Sequence, residues 1–270
     1  MRPDRVWLSI DFDYFVRELV EWDFGHREDP VLERILWHSR AEAWASRGMS
    51  LGDEMDPERH AEPKPSDFFG ALIDRGYLLG GATLHVAESH ASAGPLFCGL
   101  NGNDRRMVHF DAHHDLGYRP IKTMRTWWKE QRCEAGSWQW MVLKKHRTLR
   151  THVVYPAWKG AKAESKPPLE QAMRGRVRLR AWPDVPAGGK VEAVFICRSG
   201  AWSPPWLDDT FRQVVAIAEA CTGHSALVMH PHNGNPMEPR PWDWAAVERS
   251  AAISAAAIAE WTKKNSERQR

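Results

Sequence analysis

The chain has 270 residues, with 37 Lys and Arg against 35 Asp and Glu, 13 His, 15 Trp and 4 Cys. Its 43% hydrophobic and 27% charged residues describe a globular protein, which excludes a wholly disordered chain or a coiled coil, and the length suffices to bury a core without disulfides or structural metals. Cys98, Cys133, Cys197 and Cys221 form no C-x-x-C pair, so a zinc ribbon, a redox motif and a disulfide framework lack support.

Asp11 and Asp13 stand where a signal peptide needs an apolar run, and no 18-residue apolar stretch occurs. The expectation is a cytoplasmic protein with no membrane partner. The near-neutral charge conceals two opposed segments: residues 1–70 hold 9 basic and 16 acidic side chains, residues 116–190 hold 17 and 5. A basic stretch of this kind suits an acidic partner, though a solvated Lys/Arg surface reads the same way.

In chain order, the apolar run 6–10 reads as a buried strand that stops at Asp11-Phe-Asp13. Residues 29–47 have a helical pattern with Pro30 in the first turn. Residues 50–66 are rich in Pro and charge and read as a loop, after which Ser66-Asp67 caps a helix to Gly76. Strands are expected at 82–87, 106–111, 151–155, 176–181 and 190–197, with helices at 121–133, 137–147, 168–174, 206–221 and 241–263. Strands alternating with helices predict βαβ units and a three-layer α/β/α fold around a mostly parallel sheet. Residues 1–270 are expected to form one such domain. Its active site belongs beyond the carboxyl ends of the strands.

The strongest motif is Val108-His-Phe-Asp111-Ala-His113-His-Asp115. An apolar strand delivers hard ligands at i, i+2 and i+4, and extended backbone would turn all three to one side. Carboxylate with imidazole suits Mn²⁺, Fe²⁺, Co²⁺ or Zn²⁺ better than Ca²⁺ or Cu⁺. His109 shares that parity but lies inside the strand, as a core or supporting residue. Leu8-Ser-Ile-Asp11-Phe-Asp13 repeats the grammar. Four crowded carboxylates repel one another and call for cations, and two divalent ions would balance them.

HFDAHHD resembles the D-A-H-x-D signature of the ureohydrolases, the arginase-like superfamily, and LSIDFD is similar to their S-x-D-x-D segment. The resemblance implies an arginase-like fold that holds two Mn²⁺ ions. It implies that Asp111 and Asp11 bridge the metals, Asp115 binds one, and His113 and Asp13 bind the other. His90, in Glu88-Ser-His90-Ala-Ser92, is the nearest match to a ligand histidine on an earlier loop. Three features depart from the pattern: S-x-D-x-D stands at the N-terminus, Tyr14-Phe15 replaces its Asp-Pro, and Gly136-Ser-Trp138-Gln-Trp140 stands where free arginine's carboxylate would be held.

The closer resemblance is to the peptide arginases, on E-x-H, HFDAHHDL, the Gly-x-Trp segment at 136–138, and Ile196-Cys-Arg-Ser199 followed by Trp202-Ser-Pro-Pro-Trp206. That implies hydrolysis of arginine in a ribosomally made precursor peptide to ornithine and urea, by a hydroxide held between metals. Asp13 or Asp111 would relay the proton, with His114 and His146 as other candidates. Glu21 and Asp23 are candidate guanidinium carboxylates. Trp127, Trp128, Trp138, Trp140, Trp202 and Trp206 would line a peptide cleft or fill the core. The basic segment 116–190 suits an acidic leader, and no nucleic acid is expected. Alternatives are a small-molecule ureohydrolase, a single-zinc deacylase, and a non-catalytic metal-containing binding module. The loop 229–236, with His230 and His232, reads as a plain turn or a second ligand pair.

Overall fold

A computed structural model describes residues 4–17, 29–102, 104–159, 164, 166–182, 184–230 and 234–268. Among these residues, seven strands form one sheet: β1 (Arg5–Asp11), β2 (Thr83–Ala87), β3 (Arg105–Phe110), β4 (Arg150–Tyr155), β5 (Val177–Ala181), β6 (Lys190–Cys197) and β7 (Leu227–Val228). Their order is β5-β4-β3-β1-β6-β2-β7, and every pair is parallel. The expected "mostly parallel" sheet is thus wholly parallel.

Ten helices are described: α1 (Pro30–Ala45), α2 (Leu51–Glu54), α3 (Pro57–His60), α4 (Phe68–Asp74), α5 (Ala93–Gly99), α6 (Ile121–Lys129), α7 (Trp138–Lys145), α8 (Gln171–Arg174), α9 (Asp208–Thr222) and α10 (Trp244–Arg268). None is long and apolar enough to cross a membrane, among the described residues.

The hydrophobic pattern of β1 explains the layering. Val6, Leu8 and Ile10 enter one core, while Trp7 enters the other, because successive side chains in a strand point to opposite faces. The first core joins α1, α4 and α9 through Trp37, Phe68, Leu72, Phe211 and Val215. On the other face Trp7, Met107 and Phe195 meet Phe97 of α5 and Trp138 of α7. Toward β5 that face continues with Leu116, Met124, Trp140, Val153, Leu169 and Met173. Six of the seven residues of β1 are buried, as expected for a strand covered on both sides. This is a three-layer α/β/α fold.

The structure departs from the expected elements in three places. Residues 50–66 contain two single-turn helices, α2 and α3, each capped by a polar side chain, Ser50 and Asp56. Helix α5 was hidden by Gly94, Pro95 and Gly99. Gly94 is required there, because a Cβ would stand 2.3 Å from Cys133 Sγ. Strand β7 is two exposed residues with no hydrophobic alternation to reveal it.

Candidate metal centre

Four adjacent strands, β3, β1, β6 and β2, point their carboxyl ends to one place. Register sets the height: Ile10 lies opposite both Phe110 and Ile196, and Cys197 lies opposite both Asp11 and Ala87. The residues that leave these strands therefore begin at one level. The chain order reverses beside β1, since β2 lies on one side of it and β3 on the other, and such switch points leave a crevice.

The ligands do not converge by strand alternation. β3 ends at Phe110, and Asp13 lies in a 3-10 turn, Phe12–Phe15. Each strand-end aspartate instead folds its following turn around itself. Asp11 Oδ1 accepts from Asp13 N at 3.2 Å, and Asp111 Oδ1 accepts from His113 N at 2.6 Å. Asp side chains commonly bond the backbone two residues on, and Asp115 adopts φ +49, which tightens the second loop. Ala112 N also donates to Asp13 Oδ1 at 3.3 Å, linking the two turns.

Among the described residues, three overlapping groups of donor atoms could hold a metal ion: His90, His109, Asp111 and Asp115; Asp13, Asp111 and His113; and Asp11, His90 and Cys197. Within each group the donors lie within 4.8 Å of one another. Asp111 belongs to two groups and is completely buried. Its Oδ2 accepts no well-formed hydrogen bond, although His109 Nε2 is 2.7 Å away. Two buried donors pressed together without a good bond between them fit a shared cation. His90 Nδ1 stands 2.7 Å from Asp11 Oδ2, 3.6 Å from Asp115 Oδ2 and 3.8 Å from Asp111 Oδ2. His113 Nδ1 stands 3.0 Å from Asp13 Oδ2 and 3.5 Å from Asp111 Oδ1.

The electrostatics explain why a cation suits this place. Burial, reinforced by Asp13, pushes the Asp11 carboxyl well above the ordinary range. Burial and the carboxylates of Asp13, Asp115 and Asp11 do the same to Asp111, and burial lifts Asp115 to about 7. His113 rises to about 9 because Asp13 outweighs its burial, and His113 in turn holds Asp13 below its usual value. His109 is driven down, by burial first and by His90 next, so it stays neutral and able to ligate. Protons neutralise the cluster when nothing else does, and a divalent ion would displace them.

Comparison with protein-family models, curated proteins and solved structures finds no match.

Supporting side chains surround the cluster. Ser9 Oγ meets His90 Nε2 at 3.2 Å and so fixes the ring. Trp138 is fully buried behind the cluster rather than on a cavity wall. Its Nε1 donates to Asp115 Oδ2 at 2.8 Å, and its ring stacks on His90 at 5.5 Å. His114 and His146 belong to none of these donor groups: His114 Nδ1 accepts from Leu116 N, and His146 Nε2 meets the Phe97 carbonyl. Glu21 and Asp23 fall outside the described residues, as do residues 231–233.

A cavity of about 580 Å³ opens over the cluster, lined by Asp11, His90, His113 and Asp115 together with Arg132, Glu134, Ser199 and Trp202. Ser199 faces Asp11 and partly offsets the rise of its pKa, and the Trp202 ring lies 4.4 Å from that of His113. Of the tryptophans singled out in the sequence, Trp202 lines this cavity. Trp138 and Trp140 are core, and Trp206 packs against Trp37, Trp242 and Trp244. Ser199 entered only as the last residue of the Ile196-Cys-Arg-Ser199 resemblance and Arg132 carried no motif, because their place at the cavity depends on how distant loops close.

Proposed function

We propose that the protein is a metal-dependent hydrolase of the arginase-like kind, cleaving the guanidino group of arginine within a ribosomally made peptide to give ornithine and urea. The observation that carries this reading is that Asp11, Asp13, His90, Asp111, His113 and Asp115 fall in overlapping donor groups, with Asp111 common to two of them and Asp11, His90, His113 and Asp115 lining one open cavity. Two Mn²⁺ ions would be held by the donor groups that share Asp111, with His90 and Asp115 in one and Asp13 and His113 in the other, and with Asp11 beside His90. Such a pair supplies a nucleophile near neutral pH by acidifying water.

The protein's own residues do the remaining work. Ser9 and Trp138 orient His90 and Asp115, which keeps ring and carboxylate directed at one point. Asp111 accepts from His113 N of its own turn and Asp13 from Ala112 N of the neighbouring turn, and in this reading one of the two passes a proton to the leaving amine. Trp202 offers an aromatic face at the mouth for a guanidinium.

A peptide substrate with an acidic leader is supported by the far end of the sheet. Arg106, Arg150, His152, Arg178 and Arg180 share one face of β3, β4 and β5 in register. Among the described residues, Asp4 pairs with Arg106 at 3.5 Å.

Metal analysis and mass spectrometry test the reading together. Expected are two Mn per chain and a loss of CN₂H₂ from arginine in a peptide, with free arginine and agmatine untouched. One Zn per chain, or metal without turnover of any arginine compound, would overturn it. Turnover of agmatine alone would make it a small-molecule ureohydrolase. Asp111→Ala is expected to lose metal and activity together.

A further inference from the structure

The cluster can hold metal and bind water, but nothing within it selects an arginine. Its carboxylates face one another and their histidines. A guanidinium needs a further carboxylate, presented to its planar fork from the cavity side. Among the described residues lining the cavity, one carboxylate lies outside the cluster: Glu134. We propose that Glu134 grips the guanidinium of the substrate arginine, in a place that Arg132 occupies until the substrate arrives; this rests on the arginine-hydrolase reading above.

The geometry supports it in three ways. Glu134 already holds a guanidinium, since Arg132 Nη2 donates to its Oε1 while the Arg132 Cζ lies 4.9 Å from the centroid of the Trp127 ring. Both side chains are about half exposed, at 56% and 40%. An exposed pair of this kind contributes little stability, so a second guanidinium can replace the first at small cost.

Next, Glu134 is held in register with the cluster. Its carbonyl accepts from Ser137 N at 2.9 Å, Gly117 N donates to Gly136 O at 2.9 Å, and Gln139 N donates to Asp115 O at 3.2 Å. Trp138 Nε1 to Asp115 Oδ2 completes the fastening. The loop that carries Glu134 therefore moves with the loop that carries Asp115. Finally, the wall beside it is small and apolar, with Ala91, Ala135 and Gly136, which leaves room for an arginine stem; Trp202 lies on the same cavity. A Cβ at Gly136 would stand 2.9 Å from the Tyr118 ring, so a bulkier residue there would disturb this wall.

The test compares the Mn²⁺-loaded full chain with Glu134→Gln, Glu134→Asp and Arg132→Ala, using N-acetyl-arginine amide and its neutral isostere N-acetyl-citrulline amide as probes. With turnover, Glu134→Gln is expected to raise KM for the arginine probe about tenfold or more while kcat changes little, since a charge-assisted bond made in both ground and transition states is lost. Glu134→Asp should retain part of the affinity, and Arg132→Ala should lower KM. If the wild type turns nothing over, the function reading fails. The same four proteins are then compared by equilibrium binding, where the preference for arginine over citrulline should vanish in Glu134→Gln. An unchanged KM, or an unchanged arginine preference, in a Glu134→Gln protein of normal melting temperature overturns the assignment whatever the turnover.

Discussion

Trp138 shows how one side chain serves both core and site. Its ring fills the space between α5, α7 and the sheet, and its single polar atom reaches Asp115. Trp138→Phe keeps most of the packing and removes the N–H. Groups that orient a metal ligand are typically worth 10–100-fold in affinity, so Mn²⁺ titration of this variant should show binding weakened by about tenfold. His152 is a different case, outside the candidate metal centre. Its Nδ1 accepts from Arg180 Nε at 2.9 Å, which requires the neutral ring. Burial and the charges of Arg180, Arg106, Arg178 and Arg150 lower its pKa from 6.5 to about 4. The unfolded chain thus binds the proton more readily, so this contribution is fully present above pH 6.5 and declines as pH falls toward 4. Urea unfolding across that window should show His152→Gln losing less stability on acidification than the wild type.

Among the elements, those with a strong local signal were legible before the fold was known. Strands β1 to β6 were legible as short apolar or alternating runs, and α1 through Pro30 in its first turn; the structure adds the cap, Asp29, whose side chain accepts from Val31 N and Leu32 N. Helix α5 was not legible, because glycine and proline at 94, 95 and 99 argue locally against a helix that tertiary packing then demands. The same reasoning applies to the segment entering β6. Gly188 N donates to Arg75 O at 2.8 Å, and a Cβ on Gly188 would lie 2.1 Å from Gly76 C and 2.2 Å from Tyr77 N. Backbone cannot swing aside as a long side chain can. Gly188→Ala should therefore cost about 1–3 kcal/mol or more in chemical denaturation. Gly175→Ala, with nothing within 4 Å, should stay within about 0.5 kcal/mol of the wild type.

At the scale of the whole molecule, a buried ion network ties the loop after β6 to the rest of the site's frame. Arg198 donates to Glu88 Oε2 from Nε at 2.8 Å and to Asp208 Oδ2 from Nη1 at 3.3 Å. It also reaches the Glu238 carbonyl at 2.7 Å, and Arg240 joins Asp208 from the same segment. Four parts of the chain meet there: the end of β2, the end of β6, the start of α9 and the turn before α10. Removing one member leaves the others charged and buried, which typically costs 3–5 kcal/mol. Arg198→Met should lose about that much in urea unfolding, and the loop bearing Ser199 and Trp202 should loosen with it. Hydrogen exchange at residues 198–203 would register the loosening, and an unchanged profile would refute the bracing role.

The sequence by itself determined the parallel α/β architecture and the two aspartate-bearing strand ends, because buried strands and their polar stops are written in consecutive residues. It also singled out His90 and His113 by their neighbours. The tertiary structure decided what consecutive residues cannot express. It set β1 between β3 and β6, so that motifs about a hundred positions apart share one edge. It replaced strand alternation by Asp-centred turns as the means of convergence, and drew His109 up against Asp111. It also placed Arg132, Glu134, Ser199 and Trp202 around the opening. These last residues lie on loops, whose paths are set by what the ends of the strands and helices leave open rather than by any periodic pattern of their own.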